Sequence, residues 1–149
     1  MPIRNQIAAI VQTLSGQPQF IYGSANELNH LADDTSFPCV FLYPIQPIEI
    51  ITGINGSVNN SFTLNLEFLY QTEFDQYTAD NEVYVSQALQ MANQFIIKAT
   101  TYVDGAGRYF RVKAGEKAKC TPVYNKFDVN ATGVNLIITL HAMYAEPIN

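Results

Sequence analysis

The side chains best suited to ligating a metal or to nucleophilic catalysis are His30, Cys39, Cys120 and His141. A zinc site draws its ligands in close pairs, because two donors on one turn or hairpin already converge. No HxxxH or CxxC spacing brings any two of these four together. Each histidine therefore reads as structural, His30 within a short helix and His141 on a final strand, on the face opposite Leu140. The two thiols sit in apolar, strand-like runs and read as free and buried, since two cysteines make no disulfide framework. Asp33-Asp34 has the donors for a cation but reads as capping or loop chemistry. Asp75, Asp80 and Glu82 read as a loop and helix start rather than an acid pair. "DGAGRYF" carries Gly105 and Gly107, but Phe110 and a strand follow where a dinucleotide fingerprint requires a helix N-terminus. No P-loop and no G-x-S-x-G elbow occur. The expectation is a protein that is not an enzyme, with no cofactor and no metal. The sequons "NGS", "NNS" and "NAT" read as turn chemistry.

What remains is positive charge. The chain of 149 residues has a formal net charge of −5, with 8 Lys+Arg against 13 Asp+Glu. Arg108, Arg111, Lys113, Lys117 and Lys119 all fall within "RYFRVKAGEKAKC". Residues 1–97 sum to −8, residues 98–126 to +5 and residues 127–149 to −2. Such blocks suit association between copies or with a charged partner. Charged residues make up 14% of the chain, against about 25% in an ordinary soluble domain. A surface so poor in charge suits burial against partners.

The length fits one domain spanning residues 1–149. No apolar run approaches the ~18 residues of a membrane span. "MPIRNQIAAIVQTLSG" lacks the apolar core of a secretory signal, so the expected compartment is the cytoplasm or a particle assembled there.

The elements that would position these groups follow from periodicity. Residues 2–14 read as a helix with Ile3, Ile7, Ile10 and Leu14 on one face and Gly16 as its stop. Residues 24–34 admit a short helix capped by Ser24 and Glu27. "PCVFLYPI" reads as a buried strand, and "IEIIT" as a separate strand near an edge. "SFTLNLEFLYQTEF" alternates Phe62, Leu64, Leu66, Phe68 and Tyr70 against Thr63, Asn65 and Glu67, giving one buried and one polar face. Residues 79–98 read as the main helix, packed through Val85, Ala88, Leu89, Ala92, Phe95, Ile96 and Ala99, with Thr78 as its N-cap. "GVNLIITLHAMY" closes the chain with Val134, Leu136, Ile138 and Leu140 inward. The order predicts an α+β domain: a mainly antiparallel sheet, an N-terminal helix and one central amphipathic helix packed on it, and a long projecting β-hairpin at 48–61.

That hairpin contains a conflict. Asn55-Gly56 is a two-residue turn signal. Such a turn pairs Gly53 with Val58 and Glu49 with Phe62, and aims Ile48 and Ile50 away from the Phe62 face. Either a bulge restores the register, or the isoleucines form a second apolar face that another chain must cover. Ile48, Ile50, Ile54, Asn55, Gly56 and Val58 are then the contact residues. For residues 108–120, a hairpin about Gly115 would place Tyr109, Arg111 and Lys113 on one face beside Lys117 and Lys119, opposite Phe110 and Val112. Such a basic face is open to three readings: a solvated edge guarded by lysines, a patch meeting the acidic region of a neighbouring copy, or a contact with nucleic-acid phosphates.

"FPCVFLYP" (37–44), "SFTLNLEFLYQTEFD" (61–75), "VYVSQALQMANQFIIK" (83–98) and "YNKFDVNATGVNLIITL" (124–140), in this order, resemble the tail-terminator, tail-completion and head–tail joining proteins of tailed bacteriophages. The likeness lies in architecture and texture across most of the chain. The Asn-rich, Trp-free composition also resembles structural proteins of phages that infect gut Bacteroidales, the crAss-like group among them. The resemblance implies a virion protein assembled in the host cytoplasm. It would form a homo-oligomeric ring in the neck, a hexamer or else a dodecamer, that stops tail growth and joins head to tail around a DNA channel. Its implied neighbours are portal, tail-tube and other neck proteins. The alternative is a non-enzymatic binding or adaptor domain, or another phage tail component.

Overall fold

The computed structural model describes residues 3–24, 36–53, 56, 58–73, 78–105, 107–112, 115–126 and 130–144. The expected short helix at 24–34, His30, Asp33-Asp34, Asp75, Ile54, Asn55 and Lys113 lie wholly or largely outside them.

Helix α1 spans Ile3–Val11 and buries Ile7, Ile10 and Val11. It is shorter than the 2–14 expected. Beyond it, Thr13 N–H donates to the Ile10 carbonyl and Leu14 N–H to that of Val11, so tighter turns carry Leu14 into the core. Gly16, at φ +87, reverses the chain in the left-handed region that glycine enters without a Cβ clash.

The chain then forms β1 (Gln19–Tyr22), β2 (Cys39–Leu42), β3 (Ile48–Thr52) and β4 (Val58–Gln71). Helix α2 (Thr78–Thr101) follows, then β5 (Arg108–Arg111), β6 (Lys119–Lys126) and β7 (Ala131–Tyr144). The sheet runs β1-β2-β4-β7-β5, with β3 also on β4 and β6 also on β7. It is mostly antiparallel and strongly curled. The expected α+β fold is therefore present, with one strand the sequence reading missed. β1 pairs with β2, and that pair is parallel.

The two long strands β4 and β7 form the centre, in register from Asn60 opposite Ala142 to Gln71 opposite Ala131. Alternation decides the two faces. Leu64, Leu66, Phe68, Val134, Leu136, Ile138 and Leu140 point inward, as expected, and meet α1 and α2. On α2 the inward residues are Ala88, Met91, Ala92, Phe95 and Ala99. Leu89, expected on this face, is exposed, and Met91 takes the buried place. The Phe68 and Phe95 rings pack with centroids 5.9 Å apart. Both are fully buried, which stabilises the fold by about 2–3 kcal/mol each. The helix outruns the predicted 98 because Thr100 and Thr101 turn their hydroxyls onto the carbonyls of Ile96, Ile97 and Lys98. The Lys98 carbonyl also accepts the Tyr102 N–H at 2.9 Å, so the backbone closes the last turn.

The outer face of the sheet is polar at its middle and apolar at one end. Thr63 pairs with Thr139 at 3.0 Å, and the Asn135 amide donates to Asn65 at 2.6 Å. Beyond them Ile21, Cys39, Phe41, Leu69 and Ala131 form a second, smaller core. Asn130, at φ +58 and buried, donates its amide to the Thr72 carbonyl at 3.1 Å and so fixes the entry to β7. The "NAT" sequon is thus turn chemistry.

Both cysteines are free, as expected, but only Cys39 is buried. Cys120 lies on β6 opposite Leu136 of β7 and is exposed. Burial pushes both thiols up, Cys39 far the more. A thiol-reactive dye on the folded protein is expected to label one cysteine, slowly at neutral pH and faster as pH rises. Two are expected in denaturant; rapid labelling of both without denaturant would contradict this placement.

Candidate interaction surfaces

β3 and the start of β4 form a hairpin, but it does not project as expected: three of its five paired rows, from Ile48–Phe62 to Ile50–Asn60, continue onto β7 within the sheet. Its register differs from that of a two-residue turn: Ile48 lies opposite Phe62, Ile50 opposite Asn60 and Thr52 opposite Val58. Five residues, 53–57, separate the paired ends, and this longer connection resolves the conflict without a bulge. Gly56 holds φ +74 there. Ile48 and Ile50 thus share the inward face of Phe62, not the opposite one.

Ile48 is 58% exposed, Ile50 71%, Ile51 43% and Val58 56%. Among the described residues these isoleucines stay exposed at the β3 margin, although Ala142 and Phe110, in the same row as Ile50, are buried in the core. Ile51, on the other face, had not been expected among them. β3 continues the line of β2 along the same edge of β4. Tyr43 N–H donates to the Asn65 carbonyl and Thr63 N–H to that of Pro47, so the chain follows β4 through the proline interruption.

The basic stretch is not a hairpin. β5 and β6 each pair with β7, β5 at its C-terminal end and β6 at its start. Arg111 lies opposite His141, and Lys119 opposite Ile137. They share the outer face, roughly 13 Å apart along the strand. Gly115, Glu116, Lys117 and Ala118 lie exposed between the two strands. Arg108, expected to join the patch, pairs with Tyr144 at the far end of β5. Among the residues whose side chains are described, the patch is Arg111 at one end of an edge and Lys117 and Lys119 farther along it. Spread in this way, its cations avoid facing one another directly across strands. The Arg111 guanidinium stands 5.7 Å from the Tyr109 ring centroid.

Two basic groups of this region already have acidic partners. His141 Nε2 lies 3.2 Å from Glu116 Oε2. Lys126 pairs with Glu67, which is buried on the outer face and also accepts the Tyr43 hydroxyl. Burial, then the bond to Glu67, push the Tyr43 phenol well above its ordinary range, so it stays protonated and donating. Sequence reasoning missed this cluster. Glu67 sat where a solvated residue of an alternating strand was expected, and its partners come from distant segments.

A groove of about 240 Å³ opens between the end of α1, β4 and α2, lined by Ser15, Tyr70, Gln87, Gln90, Met91 and Gln94. It contains no charged side chain. The Gln94 side chain accepts from Ser15 N–H and donates to the Ser15 hydroxyl, which closes one end. Among the described residues, no three His, Cys, Asp or Glu side chains gather as a metal site would require. No helix among them is long and apolar enough to cross a membrane.

No protein-family model matches this chain, and no curated protein matches it.

Proposed function

We propose that this chain is a structural subunit of a ring in the neck or tail end of a tailed bacteriophage, where it joins head to tail around a channel for DNA. The observation that carries the self-association is the β3–β4 hairpin. Among the described residues it leaves four large apolar side chains exposed, in a chain poor in charge. A monomer leaves such a patch uncovered; a neighbouring copy covers it. The separation of acidic and basic blocks supports a contact that joins two different surfaces of one subunit, the kind that closes rings. The assignment to a virion rests on the resemblance to neck proteins. Lys117 and Lys119 are then available to a neighbouring subunit or to DNA in the channel.

Negative-stain electron microscopy of the purified chain tests this reading. Annular particles with an open centre are expected, six subunits favoured over twelve. Fields of small solid particles at high protein concentration would oppose it. One feature favours a binding or adaptor domain instead: the uncharged groove beside α2 has the size and amide donors to hold a small neutral polar group.

A further inference from the structure

The register of the sheet places one acid and one base at its two margins, on the same face and in the same row. Glu49 on β3 lies opposite Ser61 on β4; Ser61 lies opposite His141 on β7; His141 lies opposite Arg111 on β5. The row spans four strands, so Glu49 and Arg111 are roughly 14 Å apart within one chain and cannot pair there. Both are exposed. The acids and bases between them are already matched, since His141 holds Glu116.

We propose that β3 of one copy docks along the β5 margin of the next, with Glu49 of the first facing Arg111 of the second. This rests on the ring reading above and names the two surfaces that meet. Three observations support it. The charges are complementary and lie at the same level of the sheet. β3 runs antiparallel to β4, β7 antiparallel to β4, and β5 antiparallel to β7. A neighbouring β3 therefore meets β5 in the antiparallel sense, the more stable pairing. Finally, among the described residues β3 pairs only with β4, and all five of its residues are exposed. On β5, Val103 already bridges Tyr109, so the docking is confined to Phe110, Arg111 and Val112, which meet Ile50, Glu49 and Ile48. Docking there would also bring Ile48 and Ile50, on the inward face, toward Val112, which packs half-buried at the edge of the core. The row Glu49–Ser61–His141–Arg111 then repeats from copy to copy, which makes the contact head-to-tail.

A charge swap tests this on the full chain. Glu49→Arg and Arg111→Glu, prepared separately, each set like charges against each other at every interface. Each is expected to weaken self-association about tenfold or more, measured by sedimentation velocity over a concentration series. Circular dichroism should show an unchanged fold, because both side chains are exposed. An equimolar mixture of the two variants rebuilds an opposite pair at every contact and should return assembly to within a few fold of wild type. If the wild-type chain assembles and the single variants assemble as well as it does, or the mixture fails to recover, this docking is overturned while the ring reading stands. A wild-type chain that remains monomeric overturns both.

Discussion

Gly133→Ala is expected to destabilise the fold by about 3 kcal/mol or more, enough to leave much of the chain unfolded. Gly133 lies near the start of β7, between Leu69 of β4 and Val123 of β6. A Cβ built there would stand 1.8 Å from the Phe68 carbonyl oxygen and 2.9 Å from its carbon. Both are backbone atoms of the central strand, so no rotamer change relieves the overlap. The remaining relief is to separate β4 from β7 where Phe68 and Leu69, both fully buried, anchor the inner and outer cores. Glycine within a strand marks such a close backbone approach. Urea denaturation followed by far-ultraviolet circular dichroism measures the loss. A midpoint near that of wild type would show that the strands can part without cost. By contrast, no atom lies within 4 Å of a Cβ built at Gly105, so Gly105→Ala serves as the matched control.

The second large effect concerns assembly rather than folding. Replacing Ile48 and Ile50 together with Asp is expected to abolish self-association at micromolar concentration and leave the subunit folded. Both side chains lie outside the core, so the fold loses little. An interface that buries them gains roughly 1.5–3 kcal/mol from each, and two buried carboxylates cost more than that gain. The net change exceeds about 3 kcal/mol per contact, a weakening of roughly a hundredfold or more. Light scattering should report a monomer, with a circular dichroism spectrum like that of wild type. Retained assembly would remove the hairpin from the contact.

The central strands and the main helix were legible in the sequence because their periodicity is long and local. β4 and β7 are 14 residues each, and their alternation sorts inward from outward residues without reference to any partner. The helix face was misjudged at Leu89 and Met91, adjacent stripes on a curved surface, where the curl of the sheet decides which one it covers. β1 escaped notice because four residues carry almost no pattern and its parallel partner is Cys39–Leu42, well along the chain. The basic stretch was misread for a related reason. Two neighbouring strands separated by a glycine suggest a hairpin, but β7 is long enough to pair with both in succession. That choice sets Arg111 and Lys119 apart along one edge of β7. The pairing of 48–52 with the start of β4 is legible in the sequence, but its register depends on a connection three residues longer than Asn55-Gly56 alone implies, and its place within the sheet depends on β7. Glu67 was invisible as a buried acid, since Lys126 and Tyr43 meet it only in the folded sheet.

The mass of the wild-type assembly in native mass spectrometry tests the central claim most directly. Each subunit is 16.6 kDa. One dominant closed species is expected at a small-integer multiple of that mass, six favoured, with few intermediates, as a head-to-tail ring requires. A monomer that persists at high concentration, or a ladder of species with no preferred size, would contradict it.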